Sequence, residues 1–363
     1  MPYLCSQMNT VTKKDIRALT LAELKEAFAQ MGEKAFRGQQ VYEWIWKKSA
    51  RSFAEMSNLS KELRQKLEDH FTINAVNVDE KQISSDGTIK NSLKLFDGPI
   101  VEGVLIPTEK RMTACVSSQV GCSLSCRFCA TGKLDRLRNL NADEIYDEVV
   151  IIKNQAEHYY KRPLTNIVFM GMGEPLLNYS NVMSAIGKIT GEEGLNMASD
   201  RITVSTAGIA KMIRKLGDDQ VKFNLALSLH AANDEKRSKI MPINDSNTLE
   251  VLGEALAYYY SKTKNQVTFE YIVFKDFNDT LEDAEELYQF SKYVPSKVNL
   301  IEYNSIEGGE FQNTSGNKLY RFQRYLEDKG LTATLRRSRG KDIDAACGQL
   351  ANKRHEEAVM TEE

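Results

Sequence analysis

Three cysteines stand close together as Cys122-x3-Cys126-x2-Cys129, at the end of the stretch CVSSQVGCSLSCRFC that begins at Cys115. Three thiolates in one short loop can hold three irons of a cubane iron–sulfur cluster and leave the fourth iron without a protein ligand. Such an iron can take a substrate, much as a catalytic zinc keeps one position open. A structural zinc wants four ligands, usually from two separated pairs, and the chain has no second pair. A zinc knuckle or a chance cysteine-rich loop therefore explains the spacing less well.

Other residues with chemical potential fall after short apolar runs. NIVFMGMGEP carries Gly171-Met172-Gly173-Glu174-Pro175, where glycines allow close backbone approach and Glu174 is placed for an ammonium group. Ser205-Thr206, Ser228-Leu229-His230 and Asn304 end later runs. Singly, each reads as a strand-end cap, and His230 as a satisfied core histidine; a shared rim would make them a cofactor pocket. Glu102 interrupts the apolar stretch IVEGVLIP, so it is either an exposed edge residue or a buried carboxyl with a raised pKa, as a general base needs. Cys115 and Cys347 each have an ordinary reading as small buried hydrophobes, and Cys5 sits in a polar terminus. Arg336, Arg337, Arg339 and Lys341, just before Cys347, form either a solvated turn or a grip on RNA phosphates.

The elements that must position these groups are legible from periodicity. Residues 13–72 predict helices: Leu21, Leu24, Ala27, Phe28 and Met31 share a face ended by Gly32. Val41, Trp44 and Ile45 repeat the pattern, and Asn58 or Ser60 caps a third helix. Residues 1–72 carry 12 Lys/Arg against 9 Asp/Glu, either a solvated accessory bundle or an RNA-docking module. Residues 73–106 alternate apolar and polar positions with turns at SSDGT and DGP, a small antiparallel β unit. From Met112, six strand candidates alternate with helical stretches, and TATLRRS is a possible seventh. That alternation predicts an α/β fold with a parallel sheet, an incomplete (β/α)6 barrel. In such folds ligands gather at the carboxyl ends of strands, where the residues above fall. After Cys347 a short helix and a polar tail are expected.

Composition sets bounds. The 363 residues are 42% apolar and 27% charged, enough for one large domain with appendages or for two domains. Net charge is −2, so a nucleic-acid partner has to be read from local basic patches. No run approaches a membrane span and the N-terminus has no signal-like apolar core, so a cytoplasmic protein without membrane attachment is expected. Six cysteines, half of them in one loop, do not make a disulfide scaffold.

The cluster loop, completed by Phe128 before its last cysteine, resembles that of the radical S-adenosyl-L-methionine (SAM) superfamily. More specifically, VEGVLIP, TACVSSQVGCSLSCRFCATG, FMGMGEPLLN, RITVSTAGI, LALSLHAANDEKR, MPIN, VNLIEYN and RRSRGKDIDAACGQL resemble, in order over residues 100–350, the RlmN/Cfr family of radical SAM adenine methyltransferases. KLDRLRNL departs from a Gly-Phe often found after CATG in that family, which touches local loop packing alone. The resemblance implies a radical SAM partial barrel at 108–345, a helical RNA-binding domain at 1–72, a β-rich linker at 73–107 carrying Glu102, and a C-terminal segment at 346–363 carrying Cys347. It implies a 4Fe-4S cluster on Cys122, Cys126 and Cys129, and SAM held by Gly173, Glu174, Ser205, Ser228, Leu229, His230 and Asn304. It implies methylation of adenine C2 in 23S rRNA, before or during large-subunit assembly, and in tRNA, with two SAM consumed. Cys347 would carry the methyl group, Glu102 would accept the C2 proton, and Cys115 would release the product through a transient disulfide. An electron donor such as flavodoxin or ferredoxin and a monomeric state are further expectations. Methylation at C8, a non-methylating radical SAM enzyme and a non-enzymatic iron–sulfur RNA-binding factor are the rivals.

Overall fold

The computed structural model describes residues 13–351 and comprises two compact units. Cys5 and the tail beyond Ala351 lie outside the described residues.

The first unit holds the described residues through Ala75, together with Gly191–Asn196. Strand β1 (Lys14–Asp15) pairs in parallel with β2 (Phe71–Thr72), around helices α1 (Leu21–Gln30), α2 (Phe36–Trp46) and α3 (Lys61–His70). Thr20 and Glu23 close the start of α1 reciprocally, satisfying two otherwise free N–H groups. Ser60 caps α3 by accepting from Leu63 N. Gly38 lets α2 approach α1, since a Cβ there would lie 3.0 Å from Lys25 N. That contact centres the buried face on Gly38, Val41 and Ile45, and brings Trp46 into the core. Trp44, expected on the buried face, is half-buried and donates from its indole to Asn58.

The second unit is built on one ten-stranded sheet. Strands β3 (Asn77–Ile83), β4 (Ile89–Lys94) and β5 (Ile100–Pro107) form an antiparallel meander, and β5 pairs antiparallel with β6 (Met112–Cys115). A two-residue pair, β7 (Gln119–Val120) with β8 (Arg138–Asn139), clasps the two ends of the cysteine loop. β9 (Asn166–Phe169), β10 (Ile202–Thr206), β11 (Asn224–Ser228), β12 (Val267–Ile272), β13 (Ser296–Ile301) and β14 (Ala333–Arg336) follow β6 in parallel. The sheet order is β14-β13-β12-β11-β10-β9-β6-β5-β4-β3, so β14 and β3 are its edges and the barrel stays open. The crossovers carry α4 (Ala142–Tyr160), α5 (Tyr179–Thr190), α6 (Ala210–Asp218), α7 (Asp234–Ile240), α8 (Leu249–Thr263), α9 (Leu281–Ser291) and α10 (Gly316–Asp328).

The seventh candidate strand thus joins the barrel, and the expected small β unit extends the barrel sheet through β5. The short helix expected after Cys347 does not form in the described residues; Cys347–Ala351 is irregular, its backbone groups engaged by the barrel. No helix among the described residues is long and apolar enough to cross a membrane.

Candidate active site

The cysteine loop leaves the carboxyl end of β6 and is folded by its own backbone. Cys129 N donates to Cys126 O (3.2 Å) and Gly132 N to Cys129 O (3.1 Å). A side chain on Gly132 would sit 2.8 Å from Cys126 O, which explains the glycine. Cys122, Cys126 and Cys129 line one cavity. Burial pushes all three thiols up, Cys122 to about 11, and neighbouring thiols raise each of them further.

Of the strand-end residues named from the sequence, Gly173, Glu174, Ser205, Ser228 and His230 line this cavity, whereas Leu229 and Asn304 are not among its lining residues. Gly173 (φ +94°) passes over Gln119, where a Cβ would lie 2.4 Å from Gln119 Cβ. Ser205 Oγ and Ser228 Oγ are 3.3 Å apart. Glu174 is buried, and its carboxylate already accepts from Leu176 N (2.9 Å) and Ala207 N (2.7 Å); burial raises its pKa. His230 adopts φ +55°, packs edge-on to Phe128 at 4.6 Å, and accepts from Ile272 N at Nδ1 (3.1 Å). Burial and then Arg237 hold it down to about 3, so the ring is neutral. Leu229 is fully buried; its carbonyl accepts from Arg237, so its backbone rather than its side chain is the polar part. Asn304 Nδ2 donates to Cys347 O (3.1 Å), while Asn304 Oδ1 is buried without a hydrogen bond.

The segment around Cys347 is strapped across this rim. Ala130 N donates to Gly348 O (2.7 Å), Thr131 Oγ1 to Leu350 O (2.6 Å), and Ala351 N to Glu102 Oε2 (2.8 Å). Glu102 is therefore not an edge residue: it is 4% exposed and lies 3.4 Å from Lys90 Nζ. A second cavity of about 630 Å³ occupies the barrel lumen and includes Cys115, Asn166, Thr203, Thr268, Lys297 and Thr334. Met170, Glu270, Arg336 and Cys347 line both cavities. Burial drives the Cys115 thiol up strongly, Cys347 adds to that, and Arg336 opposes it.

The basic run is dispersed. Arg336 turns inward, 3.6 Å from Glu270 Oε2 and from Met170 Sδ, and is raised first by Cys347. Arg339 donates to Asp86 O (3.2 Å), Lys341 pairs with Glu302 (2.8 Å), and Arg337 is exposed at the lumen. Glu270 went unremarked in the sequence although it carries the signal that marked Glu102, an acid inside an apolar strand. Its Oε1 accepts from Asn299 (2.8 Å), and burial raises its pKa.

Comparison with known proteins decides the family. The description "Ribosomal RNA large subunit methyltransferase N-terminal domain" matches residues 14–73, and "Radical SAM superfamily" matches residues 116–291. A "Probable dual-specificity RNA methyltransferase RlmN" of Cytophaga hutchinsonii is 63% identical, over 97% of this chain and 98% of the relative. The "Dual-specificity RNA methyltransferase RlmN" of Geobacter sulfurreducens is 44% identical over 94% and 93%. The chain belongs to the RlmN family. A crystal structure of a radical SAM methyltransferase from Sphaerobacter thermophilus agrees, with a TM-score of 0.88, 39% identity, and coverage of 93% of this chain and 99% of that one.

An RlmN-family chain is a radical SAM RNA methyltransferase, which implies SAM and a 4Fe-4S cluster, and the residues fit both. Three thiols converge on one cavity, and iron would favour the thiolates that burial alone disfavours. Gly171, Gly173, Ser205 and Ser228 line that same cavity, and the buried Asn304 Oδ1, on the residue that holds Cys347 O, lacks a hydrogen-bond partner.

Proposed function

We propose that this enzyme methylates C2 of an adenosine in 23S rRNA, and of the adenosine 3′ to the anticodon in some tRNAs. The observation that carries the reading is the position of two thiols. Cys347 belongs to both cavities, and Cys115 faces the lumen alone. A methyl group taken up on one side could thereby be delivered on the other.

When bound, the cluster and SAM supply a methyl group and a 5′-deoxyadenosyl radical. Cys122, Cys126 and Cys129 hold the cluster; Gly173, Glu174, Ser205, Ser228, Leu229, His230 and Asn304 hold SAM. Cys347 accepts the methyl group as a thioether, loses a hydrogen atom from it, and joins its carbon to adenine C2. Adenine C2 is not nucleophilic, so a carbon radical on Cys347 succeeds where direct methyl transfer has no partner. Glu102, with Lys90 beside it, accepts the C2 proton, and the one electron that the adduct must also lose would return to the cluster. The Cys115 thiolate then attacks Cys347 sulfur, breaking its bond to the methylene carbon, which keeps the electron pair and takes up a proton to become the methyl group, and leaving a Cys115–Cys347 disulfide. Arg337 and Arg339 at the lumen mouth, with Lys341 nearby, contact RNA phosphates. Arg336, turned inward, acts instead at the wall the cavities share.

The test is anaerobic reaction of reconstituted protein with SAM, a reductant and unmodified large-subunit rRNA. 2-Methyladenosine together with S-methylated Cys347 is expected, and 8-methyladenosine would refute the C2 assignment. Cys347→Ala should abolish methylation at wild-type iron content. Cys115→Ala should accumulate a protein–RNA adduct; normal product release by that variant would remove its role.

A further inference from the structure

Arg237 is a buried cation for which the reaction has no use. It lies on α7, wholly enclosed. Its Nε donates to Leu229 O (3.1 Å), Nη1 to Asn244 Oδ1 (2.8 Å), and Nη2 to Ala207 O (2.5 Å) and Ser228 O (3.3 Å). Every acceptor is neutral, and among the described residues no ion pair involves this guanidinium. Dipoles satisfy its N–H groups but do not cancel its charge. A cation sealed from water without a counter-ion is costly, and proteins rarely keep one.

The groups that face Arg237 narrow what the counter-ion can be. Asp234, one turn earlier on α7, accepts through Oδ1 from Asn244 Nδ2 (2.8 Å) and Leu249 N (3.0 Å), and its charge draws on Arg237 less than Cys126 does. His230, on the adjoining strand end, is neutral. The other source of negative charge is the cysteine loop. Ala207 and Ser228, whose carbonyls Arg237 engages, line the cavity of the three thiols. Ile240, at the end of α7, accepts from Arg127 N (3.0 Å), next to Cys126.

We infer that Arg237 is the fixed counter-charge of the cluster site and sets how readily the cluster is reduced. The inference rests on the cluster reading above. A four-iron core carrying two positive charges and held by three thiolates has one net negative charge, and one-electron reduction makes it two. A buried cation nearby favours the more negative state, and net charge is a principal determinant of such potentials. Arg237 thus tunes electron acceptance without touching the reacting atoms.

The test uses the full chain, reconstituted anaerobically and studied without SAM or RNA. Iron content is measured, and the reduced fraction is followed by electron paramagnetic resonance against solution potential. In Arg237→Gln the reduced-to-oxidised ratio at a given potential should fall about tenfold, a midpoint about 59 mV more negative for a one-electron couple. Arg237→Lys, which keeps the charge and loses the fork of hydrogen bonds, should stay within about twofold of wild type. A purely structural arginine predicts the opposite, with Lys at least as damaging as Gln. An unchanged potential in Arg237→Gln overturns the inference, as does an equal shift in both variants. Should Arg237→Gln fail to retain iron, Arg237→Lys decides: a wild-type potential upholds the inference and a lowered one overturns it. A wild-type chain that takes up no four-iron cluster refutes the cluster reading instead, and the inference with it.

Discussion

The two cavities of the barrel differ in where their shape comes from. The cofactor side is fixed by loop backbone: glycines that admit no Cβ, a clasp of two short strands, and the strap that returns at Gly348. The lumen is fixed by side chains that the parallel strands point inward, many of them threonine and asparagine. The first arrangement is intolerant of substitution; the second is roomy and polar. Chemistry that needs one orientation suits the first, and a bulky base that must come and go suits the second. The wall between them is four residues, and the methyl-carrying cysteine proposed above is one.

Substitutions on either side should separate the two. The largest effect is expected from Cys126→Ala, which should eliminate iron binding and SAM cleavage together; iron analysis and 5′-deoxyadenosine assay check it, and retained cleavage would dismiss the loop as the cluster site. On the shared wall, Glu270→Gln removes the charge opposite Arg336, and methylation should fall about ten- to a hundredfold. Its iron content should match wild type, and a loss of iron would show that the wall is not separable from the cofactor side. Gly173→Ala forces a Cβ to within 2.4 Å of Gln119 Cβ at φ +94°. The cost should be roughly 1–3 kcal/mol, seen as a melting point a few degrees lower and as weaker SAM binding. Unchanged SAM affinity would weaken the argument that this backbone forms the pocket.

The smallest effect is a pH dependence. His230 is held down to about 3 in the fold against about 6.5 in the unfolded chain. Its contribution is complete above pH 6.5 and is lost progressively as pH falls toward 3. At pH 5 the cofactor-free protein should have lost about 2 kcal/mol from this group. Raised carboxyl groups such as Glu174 and Glu270 act in the opposite sense. The measurement is therefore a difference: the loss between pH 7 and pH 5 should shrink in His230→Asn, a residue that tolerates positive φ. Equal losses would show that His230 does not resist protonation.

Much of this was legible in the sequence because it is local. Cysteine spacing, strand-end glycines and the capping signals at Thr20 and Ser60 need few residues to be read. Glu102 was legible as an acid in an apolar strand, with burial one of two readings, but its partners were not, since Ala351 comes from far along the chain and Lys90 from the neighbouring strand. Glu270 carried the same signal and was missed because nothing local says which face of β12 points into the lumen. Arg237 is buried by the packing of α7 against two strand ends, which no local signal announces. Trp46 rather than Trp44 enters the core because Gly38 sets the face of α2, and that depends on α1. The basic run is legible only as a cluster of charge: of its four cations one, Arg336, turns inward along β14.

The strap at residues 347–351 has a consequence for biosynthesis. Thr131 and Leu350 stand 219 residues apart and are joined by a hydrogen bond. A nascent chain can therefore lay down most of its sheet while the cysteine loop still lacks its lid. The contacts of Gly348, Leu350 and Ala351 with the loop and with Glu102 can form only after these residues have been made, so the cofactor side is completed later than the sheet that carries it.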